Sequence, residues 1–405
     1  MKRTLFSIAL LMAVSFSFAQ VKHVKDAKSI ANESDPDFAK AEKLIETALA
    51  DSTTKDEPNT WNVAGYVQKK INEKEMEKAY LRKPYDTLKV YNSSYKMIQY
   101  FLKCDELAQI PNEKGKIKNS YRKTNVPILL IERPNLINGG IQYFNLNDNK
   151  KALEFFSTYI DLANVPMLEK ENLLKQDTIL SQIAYFACLA AAKMENYPSI
   201  IKYASYGAND KETGKYVLEF LTTAYKAQND TLNWVNTLKN GLKSFPEYTF
   251  FFGNLIDYYS NNDQYDEAMA FADEMLANEP DNVFYLYVKA YLYHNIKDYD
   301  KAIEYYKKVI ETDSQYAEAY SNLGLIYCIK AQEYSDKATT VDINNPNYRN
   351  EQQILKKFYE EARPCYEKAR LLKPAQTDLW LQGLYRVYYN LGLGAEFEEI
   401  EKLLL

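Results

Sequence analysis

The chain has 405 residues, with 36 Tyr, 18 Phe and 3 Trp but only 12 Gly and 13 Pro. So few turn-formers exclude a protein built from many short strands, and 46% hydrophobic residues exclude a disordered one. A net charge of −5 argues against a dedicated nucleic-acid binder, and only two histidines, His23 and His294, leave little for histidine-based catalysis or a zinc site.

Residues 1–19 read as a secretory signal: Lys2 and Arg3, an apolar stretch from Leu5 to Val14, and small residues Ser17 and Ala19 before a cut at Gln20. The alternative, a membrane anchor, is too short to span about 30 Å of hydrocarbon. Gln20 is not the cysteine a lipid anchor needs, so a soluble exported product is expected. Residues 20–132 form an N-terminal helical region in which Trp61 to Gly65 looks like the first helix of a pair. Residues 104–133 read as a long basic connection, carrying Lys114, Lys116, Lys118, Arg122 and Lys123, then Pro127, and Arg133 before Pro134; a solvated linker is expected, with an anion or anionic-lipid site as the alternative. Residues 133–248 hold degenerate helix pairs. One is marked by Gly139, Gly140, Ala152 and Phe156, another by Ala184, Cys188 and Ile200, a third by Leu218, Leu221, Tyr225 and Pro246.

Residues 249–405 are periodic. Tyr265 and Tyr299 are 34 apart, as are Ala268 and Ala302, and Pro246 and Pro280. Numbered from Val283, one repeat gives Leu286 at position 4, Ala290 at 8, Tyr293 at 11, Ala302 at 20, Tyr306 at 24 and Val309 at 27; Lys289 at position 7 breaks the pattern. Thr249 opens the preceding repeat and Ala317 the next, in which Tyr327 and Ala362 are 26 residues too far apart. A final pair starts at Thr377. Positions 4, 7, 8 and 11 share one helical face, and 20, 24 and 27 share another, so hairpins must stack to bury both.

A 34-residue period of two helical patterns with these preferences resembles the tetratricopeptide repeat family, and the composition is similar to exported repeat proteins of Bacteroidota. The resemblance implies an all-α, right-handed superhelical solenoid of antiparallel helix pairs. It also implies a periplasmic setting, soluble or associated with the outer membrane.

The insertion at 331–358 reads either as a protruding hairpin that touches a partner or as an elongation packed on its own repeat. No phosphate loop, dinucleotide fingerprint, zinc-protease or nucleophile-elbow motif is present, so no enzyme, cofactor or metal is expected. Cys328 and Cys365 are about four residues out of pairing register, so free thiols are expected. In the family's stacking, first-helix positions 2, 5, 9, 12 and 13 line a concave groove. Here these include Phe284, Tyr287, Tyr291, His294 and Asn295, with Tyr385, Tyr388 and Tyr389 in the last pair. Such rings suit a protein or peptide partner. The expected function is a non-catalytic scaffold with a Tyr-rich groove. The alternative is a glycan- or peptide-binding protein of nutrient uptake, and a hydrolase built around His294 stands third.

Overall fold

A computed structural model describes residues 20–246, 248–337 and 346–404. The export signal at 1–19 lies outside the described residues. Those described are helical, joined by short turns, with no strand among them. The chain divides into two compact units, one ending at Tyr248 and one beginning at Thr249.

The first unit contains α1 (20–30), α2 (Phe38–Ala50), α3 (Pro58–Tyr80), α4 (Thr87–Ala108), α5 (Arg122–Asn145) and α6 (Asn149–Asp161). It continues through the short α7 (Leu173–Gln176), α8 (Leu180–Ala192), α9 (Tyr197–Gly207), α10 (Gly214–Ala227) and α11 (Thr231–Ser244). The second unit contains α12 (Thr249–Asn261), α13 (Tyr265–Asn278), α14 (Val283–Asn295), α15 (Tyr299–Thr312), α16 (Ala317–Lys337), α17 (Pro346–Leu372), α18 (Leu381–Leu391) and α19 (Gly394–Leu404).

Small residues on first helices receive rings from second helices. A Cβ on Gly140 would lie 2.4 Å from the Phe156 ring, and one on Gly65 would lie 2.4 Å from Phe101. Gly65 to Phe101 is 36 residues where Gly140 to Phe156 is 16, so α3 and α4 are one repeat lengthened by 20 residues at its turn. Alternate pairs are closed by one tight turn whose middle residue is left-handed: Asn147, Glu195, Asn229, Asp263 and Lys297, with φ between 54° and 63°. The last four are spaced 34 apart. The residue that follows often caps the next helix. Asp298 accepts the Lys301 amide at 3.3 Å, and Asp148 and Asp230 cap α6 and α11 in the same way.

The segment 104–133 is not one long connection. Residues 104–108 finish α4, and α5 begins at Arg122. Asp105 takes Nε and a terminal nitrogen of Arg122 at 2.6 and 2.8 Å and the Asn119 amide at 2.6 Å, which anchors the start of α5. Pro127 and Pro134 sit inside α5, each exposed, so the carbonyls they leave unpaired are on the solvent side. Beyond α6, residues 162–179 form short 3₁₀ turns and α7, held by a buried ion pair. Arg133 lies 2.6 Å from the Asp177 carboxylate, which also accepts the Tyr159 hydroxyl at 2.7 Å, and the guanidinium stacks 3.6 Å from the Tyr159 ring centre.

In the second unit, Tyr306 is fully buried against Tyr287, and Tyr366 is buried between Gly324 and Gly383 of two successive first helices. Lys289, the residue that breaks the pattern at position 7, is buried and paired with Asp273 of α13. Its ammonium also lies 4.9 Å from the Tyr305 ring centre, which accounts for a lysine at a core position. The insertion lengthens α16 and α17, and Tyr334 packs on Phe358 at 6.4 Å between ring centres. Residues 338–345 lie outside the described residues. The last pair departs slightly from the sequence reading: Thr377–Leu379 is a 3₁₀ turn and α18 begins at Leu381. Cys104, Cys188, Cys328 and Cys365 are buried, unpaired thiols.

Candidate functional site

The repeat register puts α12, α14, α16 and α18 in equivalent first-helix roles within the second unit, and their outer faces carry the candidate site. Position 9 is Tyr291 in α14, Leu325 in α16 and Tyr385 in α18. Tyr291 is 41% exposed and Leu325 39%. Tyr385 is half-buried on Phe397 of α19, at 4.8 Å between ring centres. At position 13, Asn295 is exposed and Tyr389 is 70% exposed, with its ring 5.7 Å from Phe397. Phe397 therefore props two tyrosines from beneath.

The other sequence candidates lie deeper. Phe284 is half-buried edge-on to Phe252. Tyr287 stacks on Tyr316 at 4.9 Å, and its hydroxyl accepts the Asn322 amide at 2.9 Å, so it joins α14 to α16. His294 is half-buried with its ring 6.0 Å from Tyr299, and burial lowers its pKa. Tyr388 corrects the sequence reading. It is 4% exposed, and its hydroxyl donates to Glu367 at 3.1 Å. Burial, with the Glu367 charge, pushes that phenol up to about 12. Positions 5 and 12 face the neighbouring helices, whereas 9 and 13 face outward. Tyr287 and Tyr388 are thus packing residues.

A hollow of about 510 Å³ opens between α16 and α18. Ser321 and Leu325 form one wall, Asp378, Gln382, Arg386 and Asn390 the other, with Tyr385 and Tyr389 at the side and Cys328, Tyr366 and Gly383 at the floor. The Ser321 hydroxyl donates to the Leu379 carbonyl at 2.6 Å, which fixes the spacing between the walls. Arg386 is exposed and has no ion pair among the described residues. Leu325 and Arg386 escaped the sequence reading, which weighed aromatic residues; the position-9 register was the available signal for Leu325. The arrangement offers hydrogen-bonding groups, rings, one cation and one carboxylate, Asp378. Among the described residues, no cluster of three or more His, Cys, Asp or Glu could hold a metal ion.

A family model described as TPR repeat matches residues 290–328, from the middle of α14 through α15 into α16. That span contains Ala290, Ala302 and Tyr306, all buried. Residues 290–328 therefore carry a tetratricopeptide repeat. None of the curated proteins matches the chain. Among solved structures, it is similar to the C-terminal part of a TPR repeat-containing protein of Cytophaga hutchinsonii. Identity is 13%, over 66% of this chain and 93% of that one, with a TM-score of 0.42. It is also similar to a TPR repeats protein of Bacteroides fragilis, at 17% identity over 67% of this chain and 98% of that one, TM-score 0.33. A third likeness is to YrrB, described as a TPR protein with an unusual peptide-binding site, at 14% identity over 64% and 96%, TM-score 0.27. No helix among the described residues is long and apolar enough to cross a membrane.

Proposed function

We propose that the protein is an exported, non-catalytic scaffold that holds an extended or helical segment of another protein on the first-helix face of its second unit. The observation that carries this reading is the row Tyr291, Leu325 and Tyr389, large side chains left exposed where stacking does not require them. Exposed apolar residues at successive repeat positions mark contact surfaces. The hollow beside them seats one polar side chain of the partner, with Arg386 and Asp378 on its wall to pair it. Export rests on the Lys2–Arg3, Leu5–Val14 and Ser17–Ala19 pattern.

The test is a crosslinking pull-down from native envelopes, comparing the wild type with Tyr291→Ala/Leu325→Ala/Tyr389→Ala. All three side chains are exposed, so the variant is expected to fold, with circular dichroism as the control. A partner crosslinked by the wild type and lost from the variant supports the groove. A partner retained by the variant overturns it. Displacement by free oligosaccharide would move the assignment to glycan binding.

A further inference from the structure

The lengthened first hairpin ends in a surface that the scaffold reading does not use. Gln68 of α3 donates to Glu42 at 2.8 Å, four residues after α2 begins. Counting four back along the antiparallel α3 puts the start of α2 level with residue 72. Residues 73–80 therefore project past α2 by about 12 Å. On the other side, α5 packs along α4 as far as Tyr91, whose Cβ lies 3.0 Å from the Gly139 Cβ position, and Leu88 also meets the core, so the part left clear is the turn at 80–86 with the end of α3. The tip is a free end of the hairpin.

Its composition is unusual for this chain. Residues 80–86 are all exposed. Tyr80 is 89% exposed, Leu81 51% and Tyr85 45%. Between the two tyrosines stand Arg82 and Lys83, which have no ion pair among the described residues. From Lys78 to Asp86 there are three cations and one acid, Asp86, on a chain whose net charge is −5. A shallow hollow of about 410 Å³ runs beside them, edged by Lys74, Lys78, Lys83, Leu81 and Pro84, with Glu77 the one acid.

The tip is also firmly built. The Glu75 carboxylate is buried and accepts Lys78 at 2.8 Å and the Asp86 amide at 3.2 Å, with Lys89 3.4 Å away. This clamp closes the turn across α3 and α4 and turns the Glu75 carboxylate inward, while the exposed Asp86 is occupied in capping α4 through the Lys89 amide at 2.9 Å. Arg82 holds a left-handed φ of 54° at the apex. The exposed rings and cations are thus presented on a fixed end rather than on a floppy loop.

We infer that this tip docks the protein onto an anionic phospholipid surface. Tyrosine rings settle at the headgroup level of a bilayer, and a leucine beside them reaches the acyl boundary. Arg82 and Lys83 meet the lipid phosphates, and each basic residue near such a surface strengthens binding roughly fivefold. The surface is convex, which suits a planar layer. The acidic remainder of the chain is repelled by the same layer, so the protein approaches tip first.

The test is co-sedimentation of the full chain with phosphatidylcholine vesicles, with and without phosphatidylglycerol, over a salt series. Binding to the phosphatidylglycerol vesicles alone is expected, weakening as salt rises. Arg82→Glu/Lys83→Glu should weaken it at least tenfold, and Tyr80→Ser/Leu81→Ser several-fold. Circular dichroism confirms that these exposed substitutions leave the fold intact. Tyr291→Ala/Leu325→Ala/Tyr389→Ala should bind vesicles as the wild type does, which separates this inference from the groove. Failure of the wild type to bind phosphatidylglycerol vesicles overturns the proposal and leaves an acidic protein face as the occupant. Binding unaffected by both tip variants overturns it equally.

Discussion

Replacing Gly383 by alanine tests the packing that sets the candidate hollow. Tyr366 is 5% exposed and lies between two first helices. A Cβ on Gly383 would stand 2.3 Å from Cε1 and Cζ of that ring. The ring has little room to retreat, because on its far side it already fills the space that a side chain on Gly324 would need, with Cε2 2.8 Å from that Cβ position. Forcing a methyl into such a clamp costs about 1–3 kcal/mol. Alanine returns up to about 1 kcal/mol of helix propensity. The net loss should be near 2 kcal/mol, since the ring has little room on either side. Gly253 in α12 is the matched control, with nothing within 4 Å of its Cβ position. Gly253→Ala should therefore stabilise the second unit by about 0.5–1 kcal/mol. Urea unfolding followed by circular dichroism measures both. If the two substitutions shift the midpoint in the same direction, the account of Tyr366 as a clamped ring fails. A Gly383→Ala/Tyr366→Leu double variant that recovers part of the loss would identify the collision directly.

Three further outcomes follow from the buried groups. Burial lowers the His294 pKa, so the unfolded chain takes up this proton first. The stabilising contribution is present above the unfolded value of about pH 6.5 and is lost as pH falls from there through the lowered folded-state value. His294→Phe should flatten the pH dependence of the urea midpoint in that window, and an unchanged slope would contradict it. Asp177→Asn leaves the Arg133 guanidinium buried without its counter-charge. It should cost about 3–5 kcal/mol, read in the same urea assay, and a loss within error of zero would show that the pair is not a structural anchor. Burial pushes the thiols of Cys104, Cys188 and Cys365 up to about 12 and that of Cys328 to about 11. At about pH 8 a thiol-disulfide reagent should label the native protein slowly and all four sites quickly in urea; fast native labelling would refute the burial argument.

The second unit was legible because its repeats keep their spacing. Tyr265 with Tyr299 and Ala268 with Ala302 mark the same packing positions, and the structure buries Ala268 and Ala302 as that register requires. The first unit was obscured by additions that preserve the packing while destroying the spacing. Gly65 and Phe101 meet as Gly140 and Phe156 do, but 20 extra residues separate them in the sequence. Pro127 and Pro134 concealed the first half of α5, because a proline reads as a stop unless its face is known to be solvent. At the candidate site, the sequence named large rings on α14 and α18 without ranking their exposure. Whether Tyr287 points outward depends on Asn322 and Tyr316, which come from the next repeat. Tyr388 depends in the same way on Glu367.

The recurring left-handed turn has a consequence for how the chain acquires its structure. Each turn at Glu195, Asn229, Asp263 and Lys297 brings together two helices of about a dozen residues each, so their contacts join segments close in sequence. Closing such short loops costs little entropy, and chains dominated by local contacts fold quickly for their size. Helix pairs can therefore form one after another as they become available, each serving as a template for the next. The hairpins of α3–α4 and α16–α17 are the exceptions, since their longer excursions must zip before the flanking pairs can stack. Those two steps are where folding of this chain should pause.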